Sequence, residues 1–361
     1  VRRIVAALAG LVLLGAVLLA GCSAPAAAPS SAPVPSQEPL GQLDLAPDPR
    51  AHQGPSTAVL PTEAIEPLDP VPAQTLPATV VSHDAGGDRE AIVTDTSRVL
   101  GLDLAGSIAA TIAGLGYGEL LVGRDVSTSF PGAEQLPVVT SGAHTVNAEA
   151  VLALRPTLVI TDGTIGPRDV LEQLREAGIA VVFVENEPSF TGAQRLARDV
   201  AAALGVDGSR LAERIASGVE AKVAEIAAIA PVSPDQRVRM LFLYLRGGSG
   251  IFYLFGEESG ADELIRGLSG VDVAGEIGWD GMKPMTDEAL VAADPDLVLV
   301  MTDGLASAGG VEGLLASKPA LALTTAGQNR RFVDMADDVV LGFGPRSASV
   351  LDALARAVYA P

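Results

Sequence analysis

Glu149-Ala150-Val151-Leu152-Ala153-Leu154-Arg155-Pro156-Thr157-Leu158-Val159-Ile160 is answered, 139 positions later, by Glu288-Ala289-Leu290-Val291-Ala292-Ala293-Asp294-Pro295-Asp296-Leu297-Val298-Leu299. Each stretch reads as a short helix, a proline stop and a buried strand. Proline cannot continue a helix, and it pushes the residue before it out of the α region. The apolar run that follows suits an interior parallel strand. One such unit in each half of the chain predicts an α/β protein of two similar lobes. Small ligands bind in clefts of the kind that two lobes create.

The elements around the repeat alternate in the same way. Ile92-Val93 opens the fold, Gly106 to Leu115 reads as a helix and Leu120-Leu121-Val122-Gly123 as a strand. Helices are expected from Glu149 to Leu154 and from Val170 to Ala177, and strands from Leu158 to Thr161 and from Ile179 to Val184. This βαβα order implies a parallel sheet with helices on its faces. From Phe190 to about Ile229 the strand signal disappears. Ser209 to Ile229 has alanines and leucines at helical spacing and no proline, and Pro231 and Pro234 end it. Alternation then resumes with strands at Arg237–Leu245 and Ile251–Phe255 and a helix at Asp262–Leu268. Phe332-Val333 and a helix from Ser347 to Tyr359 follow the second repeat.

The expected organisation is a first lobe over 87–207, a linking helix over 208–230 and a second lobe over 231–361. A single continuous helix between lobes is stiff, so large closure motions are not expected.

The segment before the lobes has a different character. Arg2 and Arg3 precede an apolar run that ends in Leu19-Ala20-Gly21-Cys22. Residues 1–21 have the layout of a secretory signal, and the last four resemble a bacterial lipobox, which implies that Cys22 is lipidated. Cys22 is the only cysteine, so no intrachain disulfide or cysteine metal site is possible. Residues 23–80 hold 13 of the 25 prolines, mixed with alanine and serine. Such composition buries little apolar surface against its ordering entropy, and residues 22–86 read as an extended tether. The formal net charge of −20 argues against a nucleic-acid partner.

Within the lobes four segments stand out: Ser141-Gly142-Ala143-His144-Thr145-Val146-Asn147-Ala148-Glu149, Leu241-Phe242-Leu243-Tyr244-Leu245-Arg246-Gly247-Gly248, Gly260-Ala261-Asp262-Glu263-Leu264-Ile265 and Lys283-Pro284-Met285-Thr286. With the lipobox, the single linking helix and the two lobes, they resemble the substrate-binding lipoproteins of bacterial ABC importers for iron–siderophores, vitamin B12 and haem. Within that superfamily they are most similar to the haem-binding members of the HmuT type. The resemblance runs from about Glu90 to the end.

It implies an extracytoplasmic, membrane-anchored protein that captures haem and passes it to an ABC permease and its ATPase. It implies haem-iron ligands at His144 and Tyr244, one from each lobe, with Arg246 in support. It also implies that Glu149 and Glu288 dock onto permease arginines. The alternative within the superfamily is a ferric-siderophore or cobalamin binder. An exported enzyme is disfavoured by three histidines and by the absence of a nucleophile-elbow or H-E-x-x-H motif.

The chemistry is consistent with this. Haem iron accepts His nitrogen or Tyr oxygen as axial ligands. A free tyrosine titrates near pH ~10, and ferric iron or a nearby guanidinium favours its anion. Alternation along the strand puts Met240, Phe242, Tyr244 and Arg246 on one side. Gly247-Gly248-Ser249-Gly250 then turns the chain, so the pair lies at a strand end, where ligand sites in α/β sheets occur. Trp279, Met282, Phe252 and Tyr253 read as core or cleft lining. Glu149 and Glu288 also suit plain helix chemistry, since Asn147 and Thr286 are good N-caps and the first turn favours a carboxylate.

Overall fold

The computed structural model describes residues 38–141 and 144–361. The signal-like segment, Cys22 and the first part of the Pro/Ala/Ser stretch lie outside the described residues, as do Gly142 and Ala143. Three strands come first: β1 (Ser56–Ala58), β2 (Ala78–Asp84) and β3 (Gly87–Val93). The first lobe holds β4 (Val99–Leu102), α1 (Ser107–Gly114), β5 (Thr140–Ser141), β6 (Thr145–Val146), α2 (Ala148–Leu154), β7 (Leu158–Thr161), α3 (Arg168–Glu176), β8 (Ala180–Phe183) and α4 (Phe190–Ala203). Helix α5 (Ser209–Ile229) leads to the second lobe. That lobe begins with β9 (Arg239–Arg246), β10 (Ile251–Phe255), α6 (Ala261–Gly267), β11 (Val271–Asp272), α7 (Val273–Glu276), β12 (Met282–Pro284) and α8 (Asp287–Ala293). It ends with β13 (Leu297–Met301), α9 (Thr302–Ser307), α10 (Gly310–Ser317), α11 (Thr325–Asn329), β14 (Phe332–Met335) and α12 (Ser347–Tyr359).

The first-lobe sheet is parallel throughout, in the order β4-β7-β8. The second runs β1-β14-β13-β9-β10-β12, with β11 also paired to β9. Its centre is parallel, while β10 returns antiparallel to β9 after the Gly247–Gly250 turn. The central strands β7 and β13 are buried along their whole length, as their unbroken apolar runs predict.

The two repeats share several hydrogen bonds. Asn147 caps α2 by accepting from the Ala150 N–H at 3.1 Å, and Thr286 caps α8 by accepting from the Ala289 N–H at 3.1 Å. Each cap contributes about 1 kcal/mol. Arg155 and Asp294, before the prolines, both take the left-handed conformation that closes a helix. An arginine then seals the helix end. Arg98 Nη2 donates to the Leu154 carbonyl at 2.6 Å, and Arg239 Nη2 to the Ala293 carbonyl at 2.9 Å. The Arg98 N–H is accepted by Thr157 Oγ1, and the Arg239 N–H by Asp296 Oδ2.

The tether expectation is corrected for residues 38–86, which are folded onto both lobes. Leu40 is fully buried, and its N–H donates to Glu225 of α5 at 3.0 Å. Arg50 pairs with Asp296 at 2.8 Å, and β1 extends the second sheet beside β14. Farther on, Arg210 and Arg214 of α5 donate to the carbonyls of Pro70, Asp69, Pro67 and Glu66. The β2–β3 hairpin then ties to the first lobe, where Ser82 Oγ accepts from the Phe183 N–H at 2.9 Å.

The physical reason is that a few apolar side chains, including Leu40, Ala58, Leu60 and Leu68, enter the core, while arginines take carbonyls that an extended chain cannot pair itself. Prolines also lower the entropy lost on ordering such a chain.

Arg331 locks this arm to the C-terminal helix. It is fully buried and donates to Ser56 Oγ, the Gly54 carbonyl and the Ala357 and Val358 carbonyls. Burial pulls its guanidinium down to about 10, still high enough to stay charged against the carbonyl end of α12.

The Leu120–Gly123 strand is also corrected. Gly118–Leu120 forms a single 3-10 turn and Leu121 makes one isolated bridge to Val99. The chain must pass Leu154 at Gly123, where a Cβ would lie 2.5 Å from the leucine methyl, and it leaves the sheet there.

Candidate functional site

Tyr244 and Arg246 lie on one face of β9 near its carboxyl end. Across the ladder Tyr244 faces Tyr253 and Phe242 faces Phe255. Their rings form an aromatic cluster: Tyr244 stacks on Phe255 with centroids 5.7 Å apart, Phe255 on Phe242 at 5.3 Å, and Tyr253 meets Tyr244 edge-on at 6.5 Å. Phe242 and Phe255 are buried, and Tyr244 is half-buried. The phenol is therefore held on an apolar floor with its outer end toward solvent.

The Arg246 guanidinium carbon lies 4.7 Å from the centre of the Tyr244 ring, within cation–π range. Arg246 Nη2 is 2.9 Å from Asp337 Oδ2, and Nη1 donates to the Leu245 carbonyl at 3.1 Å.

Tyrosine hydroxyls elsewhere are tied down. Tyr117 donates to the Pro72 carbonyl and Tyr359 to the Leu268 carbonyl, each at 2.5 Å. Burial pushes both phenols up from the ordinary tyrosine value. The Tyr244 and Tyr253 hydroxyls have no protein hydrogen-bond partner among the described residues.

His144 occupies the turn between β5 and β6. Its φ of 58° is left-handed, uncommon outside glycine but several-fold enriched in histidine. The next residue, Thr145, bridges to Gly166, and Val146 N–H donates to the Gly166 carbonyl at 2.6 Å. Gly166 belongs to the loop leaving the carboxyl end of β7, so His144 also lies at the carboxyl end of its sheet. Its Nδ1 is buried without a hydrogen-bond partner among the described residues. Such a nitrogen is costly unless something outside the chain completes it.

The sites on the two lobes lie on the same side of the molecule by topology. The loop after β4 approaches the loop after β14: the Ala105 carbonyl lies 3.4 Å from where a Cβ on Gly342 would be. Phe190 at the start of α4 meets Phe343 edge-on at 5.4 Å. No hydrogen bond joins His144 to Tyr244. A depression of about 650 Å³ lined by Arg50, Asp296 and Tyr359 lies at the opposite end of the second sheet and includes none of these residues.

Glu149 and Glu288 are exposed in the first turns of α2 and α8. Neither makes an ion pair among the described residues. The Asp337 contact to Arg246 and the aromatic floor under Tyr244 were not anticipated from sequence. Only the β9–β10 register could have suggested the floor. No helix among the described residues is long and apolar enough to cross a membrane.

Residues 104–339 match the family described as periplasmic binding protein. A lipoprotein of Bacillus subtilis (strain 168), YvrC, described as an uncharacterized ABC transporter substrate-binding lipoprotein, is 26% identical over 289 residues, covering 79% of this chain and 87% of its own. The crystal structure of the heme binding protein HmuT is 40% identical with a TM-score of 0.79, covering 87% of this chain and all of that one. HmuT has also been solved with one histidine, one tyrosine or one arginine replaced by alanine, and its tyrosine and arginine stand two positions apart, as Tyr244 and Arg246 do. The periplasmic heme-binding protein RhuT from Roseiflexus sp. RS-1, in apo form, is 37% identical with a TM-score of 0.65, covering 74% of this chain and 99% of that one.

Proposed function

Because this chain belongs to the periplasmic binding protein family, we propose that it is the extracytoplasmic haem-binding component of an ABC importer, which captures haem and delivers it to a membrane permease. The observation that carries this reading is the phenol of Tyr244, without a hydrogen-bond partner among the described residues, on an aromatic floor and beneath the Arg246 guanidinium. The similarity to HmuT and RhuT supports the same ligand.

Tyr244 supplies an anionic oxygen to ferric iron, and His144 supplies a nitrogen from the first lobe. Arg246 brings a cation to the face of the same ring. Phe242, Phe255 and Tyr253 give the porphyrin an apolar neighbour. The role is carriage: the protein holds haem and performs no reaction on it. Haemin titration followed by absorption tests the reading. One haem per chain with a ferric tyrosinate signature is expected, and an unchanged haemin spectrum overturns it.

Docking falls to Glu149 and Glu288, which occupy equivalent exposed positions in the two repeats. Two equal carboxylates suit two equal basic patches on a permease dimer. An exposed ion pair is worth only about 0–1 kcal/mol, so the double change to alanine should abolish haem uptake by cells while either single change is tolerated. Haemin binding by the purified double variant should be unaltered. Normal uptake would leave the helix dipole as the whole explanation of these carboxylates. Cys22 is assigned the lipid anchor on the outer face of the cytoplasmic membrane, and Cys22→Ala should release the protein from the membrane fraction.

A further inference from the structure

Arg246 is held in place by more than its own strand. Its guanidinium has the Tyr244 ring on one side at 4.7 Å and Asp337 Oδ2 at 2.9 Å. Asp337 is itself restrained, because its Oδ1 accepts the Asp303 N–H at 2.8 Å. The third wall is Gly304 of α9, where an added Cβ would lie 3.2 Å from Arg246 Nη1 and 2.8 Å from the Leu245 carbonyl. Asp303 follows β13 and Asp337 follows β14, so three neighbouring strands of the second sheet converge on this guanidinium at their carboxyl ends.

A free arginine side chain samples many rotamers, and the Arg246 side chain is about a third exposed. Besides the ring, its other hold is the Nη1 bond to the Leu245 carbonyl at 3.1 Å, which leaves Nη2 free to turn. A carboxylate positioned by a backbone N–H supplies an anchor.

We propose that Asp337 is a positioning residue that holds the Arg246 guanidinium over the Tyr244 ring, so that the haem ligand meets a cation already in place. This rests on the reading of Tyr244 as the iron ligand, but the placement exists without haem and can be measured without it. Two roles compete with it. Asp337 could act only by capping the start of α9. It could instead weaken Arg246 by neutralising its charge, in which case its removal would tighten haem binding.

The first measurement uses the haem-free full chain. The Arg246 Nε–H resonance, identified by its absence in Arg246→Ala, should carry a ring-current shift from Tyr244 that is lost in Asp337→Ala. The second is haemin release to excess apomyoglobin. Asp337→Ala should speed release roughly two- to fivefold, the range for a partly exposed charge contact. It should add nothing in the Arg246→Ala background, because both changes remove the same guanidinium from the ring.

Asp337→Asn keeps an acceptor for the Asp303 N–H and loses the charge, so it should speed release in the same direction. A ring-current shift that persists in Asp337→Ala overturns the proposal. So does an equal acceleration in the Arg246→Ala background, slower release in Asp337→Ala, or wild-type release in Asp337→Asn. If Tyr244→Ala leaves the haemin spectrum unchanged, the ligation reading fails separately, and the haem-free resonance still decides the placement of Arg246.

Discussion

His144 in the first lobe stands on a two-strand turn in a left-handed conformation, with a buried nitrogen that has no hydrogen-bond partner among the described residues. Tyr244 in the second lobe stands within a hydrogen-bonded ladder, flanked by rings and a restrained arginine. The helix–strand repeats behind them share their caps, their left-handed helix ends and an arginine that seals each helix. The contrast teaches that the two lobes share a helix–strand framework, while the segments proposed to hold the ligand differ between them. It also sets the two side chains in unequal surroundings: Tyr244 stands on a rigid aromatic ladder, and His144 on a turn with left-handed backbone.

The lobes differ on their outer side as well. Thr157 and Asp296 hold equivalent places in the repeat, and each accepts the N–H of its sealing arginine. Asp296 is charged and also captures Arg50, so the second lobe has acquired an N-terminal arm that Arg331 locks to α12. Arg331→Ala should be the most damaging change to the framework. It strands buried carbonyl acceptors at the arm–helix junction and should cost about 3 kcal/mol, at 1–3 kcal/mol per unsatisfied group. Urea unfolding would measure it. A loss under about 1 kcal/mol would mean the arm is a passenger and the lobes are more alike than the contacts indicate.

The sealing arginines offer a smaller and more symmetrical test. Arg98→Ala and Arg239→Ala should each cost about 1–2 kcal/mol, as expected for partly exposed charged donors on helix-end carbonyls. Arg239 also pairs with Glu276 at 2.7 Å, an exposed contact worth little. Arg98 also donates Nε to the Leu154 and Arg155 carbonyls, so the two losses, read from the same unfolding experiment, should be of the same order, with Arg98→Ala no smaller. A large loss in one lobe and none in the other would break the equivalence of the repeats.

Much of this framework was legible in the sequence. The prolines of the two repeats, with apolar runs behind them, sufficed for α2, β7, α8 and β13, and the absence of proline between Ser209 and Ile229 sufficed for α5. The arm was misread because proline and alanine content signals a chain that cannot build a core. It does not signal one that lays Leu40 and Leu68 into a core already built. Leu120–Gly123 is apolar enough for a strand, but its fate depends on Leu154 standing in its path. At the site, alternation along β9 was enough to put Tyr244 and Arg246 on one face. The partners that restrain them, Phe255 on β10 and Asp337 in the loop after β14, come from other parts of the chain, and only the strand pairing brings them there.

The central claim is that Tyr244 is the stronger of two haem-iron ligands. The most direct measurement is the absorption spectrum of the purified protein with one equivalent of haemin, compared with Tyr244→Ala and His144→Ala. A ferric tyrosinate charge-transfer band is expected in the wild type. That band should be absent in Tyr244→Ala and retained, with altered intensity, in His144→Ala. Wild-type spectra in both variants, or loss of the band in His144→Ala with its retention in Tyr244→Ala, would contradict it.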